Sequence, residues 1–449
     1  GLSDQAIERM EIIKKQFPEF PKESISYYNQ TIQMLREFDH EKALISFTIF
    51  HNYLKVSFPY QAGINELKGP GGSLIGFPLI SYNKQVMDET IADKSVLDVI
   101  KFTDISDVSG LSSIKSNNES SKAFWNTSHM KVGDYNGDGQ IDLYVGTYNE
   151  KDNAYMHYMM ENKRGIYQDV TKNLRIDHQG IEYGAAFADY DNDGFLDLFV
   201  HMEKGSLLYR NADKGILEDK TEASGILGKA VNKALFFDMD QDGDLDLFQV
   251  SNGGDSVFRN NGDGSFTIKT KDSGLYSESR NETVDAAFGD FDDDGDVDLI
   301  TTGASGTYLY SNERQGKFDF IENSGLGTDS KGNSIAVADV NNDGFLDVLI
   351  GSSSLSNNKL YLNSGNGSFE EMTELKSLLD SSEKLSVLDV ASIDFDNDGF
   401  QDLLFTGEPS KTDGISLLLF HNDGAGGFIN TSSLIKSSGL SGSQLQIYD

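Results

Sequence analysis

The chain contains no cysteine. That excludes disulfides, thiolate nucleophiles, zinc–thiolate sites and iron–sulfur clusters, although it says little about compartment. Proline is scarce, with 6 residues against 45 glycines, so direction changes fall to glycine turns rather than to proline-rich linkers. Positive charge is in short supply too: 37 Lys and Arg face 72 Asp and Glu, for a net charge of −35 and a pI near 4.4. A surface of that sign repels nucleic acid and anionic bilayers, so no nucleic-acid partner is expected. No apolar run approaches the ~18 residues of a transmembrane helix, so no direct membrane insertion is expected. The chain opens at Gly1-Leu2 without Met or a basic leader, which fits a mature or trimmed form whose signal peptide is gone.

Catalytic signatures are missing as well. His40, His51, His129, His157, His178, His201 and His421 are scattered along the chain and form no HExxH pattern, and there is no GxSxG elbow. His178 precedes and His201 follows one acidic loop, which leaves room for the two to meet on one rim. No catalytic residue is assigned. The 19 tyrosines leave the sugar-cleaving base of a lyase unidentifiable.

What is present is a repeat. Hydrophobic residues make up 38% of the chain and aromatics 11%, the composition of a globular protein. An aspartate-rich segment occurs six times: DYNGDGQIDLYVG from Asp134, DYDNDGFLDLFVH from Asp189, DMDQDGDLDLFQV from Asp238, DFDDDGDVDLITT from Asp290, DVNNDGFLDVLIG from Asp339 and DFDNDGFQDLLFT from Asp394. The spacings are 55, 49, 52, 49 and 55 residues, a period that signals a propeller or solenoid. An apolar segment precedes most copies and an apolar strand pattern follows each. A further strand then ends in an Asn/Gly turn (LLYRNADKG, VFRNNGDGS, YLYSNERQG, LYLNSGNGS, LLLFHNDGAGG), and a fourth follows that. Four short strands per unit is the format of a propeller blade. FTDISDVSGL from Phe102 and FINTSSLIKSSGL from Phe428 resemble fourth-strand segments at the two ends. They predict an all-β, seven-bladed β-propeller, closed by pairing residues 428–449 with an N-terminal segment, with six or eight blades left open. Closure matters because an open edge invites aggregation.

The acidic segment reads as a metal loop. Positions 1, 3, 5 and 9 are Asp134, Asn136, Asp138 and Asp142 in the first copy and Asp189, Asp191, Asp193 and Asp197 in the second. They are Asp238, Asp240, Asp242 and Asp246 in the third and Asp290, Asp292, Asp294 and Asp298 in the fourth. The last two copies carry Asp339, Asn341, Asp343 and Asp347, then Asp394, Asp396, Asp398 and Asp402. Position 6 is always Gly, which allows the tight turn. Position 7 varies (Gln140, Phe195, Asp244, Asp296, Phe345, Phe400), so its backbone carbonyl is the expected ligand. Such crowded carboxylates repel one another without a cation. Oxygen donors alone at this spacing suit Ca²⁺, giving about six structural ions. The first half resembles an EF-hand, but position 12 is Val145, Val200, Gln249, Thr301, Ile350 or Phe405 rather than Glu, and a strand follows instead of a helix.

These six copies, with SGL segments such as Ser324-Gly325-Leu326, resemble the FG-GAP/VCBS repeats of the integrin α-subunit propeller and its bacterial relatives, over residues 102–440. The resemblance implies a calcium-stabilised extracellular or cell-surface binding protein, serving adhesion or the recognition of a glycan or protein, and non-enzymatic. In integrin-like members the calcium loops occupy one face, which puts the ligand on the opposite face. Two alternatives stand beside this: a polysaccharide-active enzyme such as a lyase, and a structural subunit of a surface assembly. Fold alone does not choose among them.

Residues 1–100 lack the repeat and are expected to form a helical extension whose end can contribute to the ring; residues 101–449 form the propeller. Ala6, Met10, Ile13 and Phe17 fall at helical spacing, as do Ile25, Tyr28, Ile32 and Leu35, then Ala43, Phe47, Phe50 and Leu54. Ser3 or Asp4 is the expected first cap, and Pro18 and Pro21 separate the first two helices. Gly69-Pro70-Gly71-Gly72 has no Gly-Lys-Ser/Thr after it, so it is not a phosphate loop. Trp125 is expected as a packed aromatic rather than a sugar platform. The sequons at Asn126 and Asn281 are expected to arise by chance.

Overall fold

The computed structural model describes residues 2–16, 20, 22, 24–55 and most of 100–447. Residues 56–99, apart from 68–69, 72–73 and 97, are among those left undescribed, as are 115–128, 227–230, 276–281, 354–357, 381–384, 410–415 and 436–443. Trp125, Asn126 and Asn281, and most of the stretch expected to reach into the ring, therefore lie outside the described residues.

Three helices come first: α1 (Leu2–Gln16), α2 (Ser24–Glu37) and α3 (His40–Lys55). α1 already begins at Leu2, so Ser3 and Asp4 lie within its first turn rather than before it. The apolar stripes meet where Met10, Tyr28 and Phe50 bury one another. Phe20, between α1 and α2, packs its ring 5.2 Å from Tyr28 and 5.0 Å from Phe50. Ile25 leaves the stripe and is 45% exposed. No helix of the described residues is long and apolar enough to cross a membrane.

The repeats fold as six antiparallel four-stranded sheets, at 129–169, 182–219, 233–268, 283–320, 334–371 and 385–430, here called blades 1 to 6. In each blade the strands pair in sequence order. The first strands of consecutive blades lie side by side from blade 1 through blade 6. The core therefore sits between blades rather than within them. Tyr144 and Met159 of blade 1 bury against Leu198 and Tyr209 of blade 2. The same kind of cluster joins blades 2 and 3, 3 and 4, 4 and 5, and 5 and 6. A second strand packed on both faces needs apolar residues on both, which explains the continuous run in Asp197–Met202, buried at every position.

The expected seventh blade is not supported. Phe428–Asn430, assigned from the sequence to a closing blade, is the fourth strand of blade 6. Phe102 makes a single parallel bridge to Ile435 rather than a sheet. Two segments stand between blades 6 and 1. Leu111 and Ile114 cover the outer side of blade 1, and the Phe102 ring lies 5.9 Å from Phe395 of blade 6. Near the chain end, Gln444 Oε1 accepts the Met130 N–H (3.2 Å), and the Leu445 N–H donates to Asp389 Oδ2 (2.7 Å). Residues 444–445 thus tie the first strands of blades 1 and 6.

The SGL segments at 273 and 324 are joints between neighbouring blades, and the one at 109 docks the segment before blade 1 onto that blade. The N–H of Tyr167, Phe318 and Phe369 donates to the carbonyl of Ser109, Ser273 and Ser324 at 2.7, 2.7 and 2.6 Å. The following Gly110, Gly274 and Gly325 have φ near +85°, and a Cβ there would sit 2.6, 2.1 and 2.0 Å from a carbonyl oxygen of the next blade. Only glycine meets both demands.

Candidate metal centres

Each aspartate loop closes the first hairpin of its blade. The residue before position 1 pairs with position 9: Gly133 with Asp142, Ala188 with Asp197, Phe237 with Asp246, Gly289 with Asp298, Ala338 with Asp347, and Ile393 with Asp402. The position 6 glycine has positive φ in all six loops. So does position 4, occupied by Gly137, Asn192, Gln241, Asp293, Asn342 and Asn397. Two left-handed residues within three positions wind the loop tightly, and Asn and Asp tolerate that region better than most residues.

The carboxylates then take distinct roles. At position 1, Oδ1 accepts the position 5 N–H and Oδ2 accepts the glycine N–H; in the second loop Asp189 does so at 3.0 and 2.9 Å. Asp134, Asp238, Asp290, Asp339 and Asp394 repeat this. Position 5 accepts the position 7 N–H through Oδ1, as Asp138, Asp193, Asp242, Asp294, Asp343 and Asp398 all show. Position 9 anchors the blade: Asp142, Asp197, Asp246, Asp298, Asp347 and Asp402 each accept, at 2.7–2.8 Å, the N–H of an asparagine ending the third strand.

Position 3 points its spare oxygen inward. The Oδ1 atoms of Asp191, Asp240, Asp292 and Asp396 are buried without a hydrogen-bond partner, as are Asp142 Oδ2 and Asp398 Oδ2. Among the described residues, donor atoms of Asp189, Asp191 and Asp197 lie within 4.8 Å of one another, as do those of Asp238, Asp240 and Asp246 and those of Asp290, Asp292 and Asp294. In the other two loops the residue is an amide: Asn136 Nδ2 donates to Glu161 and Asn341 Nδ2 to Asp343. Burial pushes the carboxyls of Asp142, Asp197 and Asp298 up to about 7 and that of Asp347 to about 6, against the pull of their backbone N–H donors. Inward, unpartnered, desolvated oxygens fit a hard divalent cation. Position 7 side chains turn elsewhere. Asp244 and Asp296 accept bonds from Asn192 and Gln241 of the preceding loop, while Phe345 and Phe400 lie over Gly365 and Gly424. Gln140 Nε2 donates to the Gly139 carbonyl and Phe195 lies near Gly137. A position 7 ligand would therefore be the backbone carbonyl.

Two features went unread in the sequence although they repeat there. The first is the asparagine that ends the third strand. In blades 2 to 6 its Nδ2 donates both to position 8 of its own loop and to position 2 of the preceding loop. Asn211 reaches Tyr135 O at 2.6 Å, Asn260 Tyr190 O at 2.7 Å, Asn312 Met239 O at 2.7 Å, Asn363 Phe291 O at 2.9 Å and Asn422 Val340 O at 2.7 Å. One amide clamps two loops.

The second is the residue before that asparagine, which individualises each loop. Arg210 bridges Asp191 and Asp193 and is 31% exposed. Arg259 bonds Asp240 at 2.6 Å and Asp242 at 2.9 Å and is 5% exposed. Ser311 donates to Asp292, and His421 lies 3.6 Å from Asp396 and 3.2 Å from Asp402. Glu161 adds a carboxylate to the first loop.

The histidines also depart from expectation. His129, His157 and His178, far apart in sequence, converge on Glu182. His178 stacks on His157, with ring centroids 4.3 Å apart. His201 instead faces the Asn232 carbonyl at 3.4 Å, and burial pulls its imidazole down to about 3.

Among solved structures, a lectin of Agrocybe aegerita, studied for specific recognition of non-reducing terminal N-acetylglucosamine, is 22% identical and covers 69% of this chain and 81% of its own, with a TM-score of 0.48. A Lactobacillus plantarum protein is 11% identical over 68% of this chain and 84% of its own, with a TM-score of 0.41. The V. cholerae biofilm matrix protein Bap1 is 14% identical over 55% of this chain and 38% of its own, with a TM-score of 0.32. No curated protein matches the chain. The family model for the FG-GAP-like repeat matches residues 134–200, 238–301, 290–350 and 341–405, which together make up just over half of the chain. With four matched repeats set on six blades, the chain belongs to the FG-GAP-like repeat family.

Proposed function

We propose that this is a calcium-braced propeller acting as a non-enzymatic binding protein outside the cell or on its surface, with a glycan or a protein as ligand. The observation that carries the calcium reading is the inward, unpartnered position 3 oxygen, found in every loop that keeps Asp there. Asp134, Asp189, Asp238, Asp290, Asp339 and Asp394, with positions 3, 5 and 9 and the position 7 carbonyl, would hold the ions. Ca²⁺ would neutralise the clustered charge and fix each hairpin turn.

The ligand face is the end away from these loops. At the loop end, third and fourth strands are joined by only four or five residues. At the far end, the fourth strands of blades 1 to 5 each connect to the next blade through 12 to 14 residues. Long connections held on a rigid scaffold are where recognition residues concentrate.

A glycan array probed with the full chain in millimolar calcium, then in EDTA, tests the reading. Calcium-dependent binding to a defined glycan class supports it. Release of unsaturated products from an acidic polysaccharide, seen as new ultraviolet absorbance, would replace it with the lyase reading. A blank array, with oligomers that vanish on deletion of residues 1–56, would replace it with the assembly role.

A further inference from the structure

Between blades 1 and 2, toward the end remote from the aspartate loops, lies a cluster of a different chemistry. Glu182 opens the first strand of blade 2 and its side chain is 2% exposed. His178 sits on the connection before it, His157 on the third strand of blade 1, and His129 at the start of that blade's first strand. His157 Nδ1 lies 3.2 Å and His178 Nε2 2.8 Å from the same oxygen, Glu182 Oε1. The other oxygen, Oε2, is 3.1 Å from His129 Nε2 and accepts the Tyr144 hydroxyl at 3.1 Å.

The outer partner of His157 fixes what its inner atom is. His157 Nε2 lies 3.1 Å from the Ile176 carbonyl, which only accepts, so that nitrogen carries the hydrogen. In a neutral imidazole Nδ1 is then a bare lone pair, aimed at a carboxylate oxygen that also offers only lone pairs. Two acceptors at 3.2 Å need a cation between them. His178 Nδ1 lies 3.0 Å from the Tyr209 hydroxyl, which orients the ring but can donate or accept and so fixes no tautomer. Each of the three inward groups thus has a backing partner: Ile176 O for His157, Tyr209 for His178, and Tyr144 with His129 for Glu182. That is the second layer that orients metal ligands. Donor atoms of His157, His178 and Glu182 lie within 4.8 Å of one another. Bonds of about 2.0 Å to a tetrahedral ion place donors roughly 3.3 Å apart, close to the 3.2 Å between His157 Nδ1 and Glu182 Oε1 and longer than the 2.8 Å from His178 Nε2. The absence of a side chain at Gly146 makes room for the His129 ring, since a Cβ there would fall 2.2 Å from His129 Nε2.

We propose that His157, His178 and Glu182 bind one first-row transition-metal ion of the zinc type, through two imidazole nitrogens and one carboxylate oxygen. Side-chain exposures of 12%, 7% and 2% make the site nearly closed, with three protein ligands and a position left for water or a ligand group. It differs in donors from the first five aspartate loops, since imidazole favours zinc-like ions and oxygen-only sets favour calcium; the sixth loop has the single imidazole of His421 beside its carboxylates. It joins two blades and, among the described residues, occurs once, and it stands independently of the calcium reading.

The test uses the full chain, stripped by a chelator and returned to millimolar Ca²⁺ so that oxygen-only sites are filled. Titration with Co²⁺, then displacement by Zn²⁺, should show one tight equivalent with the visible absorption of a four- or five-coordinate nitrogen-containing site. His178→Asn and Glu182→Gln should each weaken that equivalent at least tenfold while leaving calcium content unchanged. Should a variant fail to fold by circular dichroism, X-ray absorption of the zinc-loaded wild type decides: two imidazoles in the shell support the site. No uptake in excess calcium, uptake unchanged in folded variants, or an oxygen-only shell would overturn it, leaving a proton on His157 as the cation of the cluster.

Discussion

The two ends of the blades are built on opposite plans. At one end a nine-residue loop recurs six times, always with oxygen donors and always closing the same hairpin. At the other, one cluster of imidazoles and a carboxylate occurs between a single pair of blades. Repetition belongs to the scaffold, because every blade has the same turn to close and the same neighbour to meet. A feature present once among the described residues is not required by the repeated scaffold. Within the repeated end the loops differ as well. Loops 2 and 3 carry a guanidinium against positions 3 and 5, buried for Arg259 and partly exposed for Arg210, whereas loop 4 carries only Ser311.

That contrast can be broken in graded steps. Chelation should have the largest effect. Each ion bound to the folded chain alone contributes roughly 2.7 kcal/mol at a hundredfold excess over its Kd, so EDTA should lower the calorimetric melting temperature by many degrees. An unchanged melt would remove calcium from the scaffold. Arg259→Ala comes next. Losing the buried cation strands Asp240 and Asp242, at a cost of about 3–5 kcal/mol, read by urea unfolding in EDTA. The loss should shrink when calcium is restored, since the ion takes over part of the neutralisation.

Asn312→Ala removes the clamp between loops 3 and 4 and should cost about 1–3 kcal/mol, in calcium and in EDTA alike. Equality of the two values is the check that the clamp acts through the backbone rather than the metal. Arg210→Ala should be the mildest. Its pairs are partly exposed, so the loss should stay below about 1 kcal/mol and fade at high salt. A cost equal to that of Arg259→Ala would erase the distinction between the two arginine-bearing loops.

How much of this is legible in the sequence follows from range along the chain. The aspartate loops are legible because their donors lie within nine consecutive residues, and a turn can be reasoned from its own side chains. The strand pattern of each blade is legible for the same reason. Asn211, Asn260, Asn312, Asn363 and Asn422 stood in register in the repeat, but their second partner belongs to the preceding blade, 70 to 82 residues away. Only the ring reveals it. The blade count failed at the termini, where a strand-like segment such as that at Phe102 finds a single bridge instead of a sheet. The histidine cluster was invisible because its members come from two blades and the connection between them. Only His178 and Glu182, four residues apart, left a local trace.

Metal content per chain tests the central claim most directly. The full chain, purified in calcium and dialysed against calcium-free buffer without chelator, is analysed for bound calcium beside the Asp193→Ala variant. The account predicts about six ions in the wild type and about one fewer in a variant that stays folded. A wild type that retains none, or a variant that retains as many as the wild type, would contradict it.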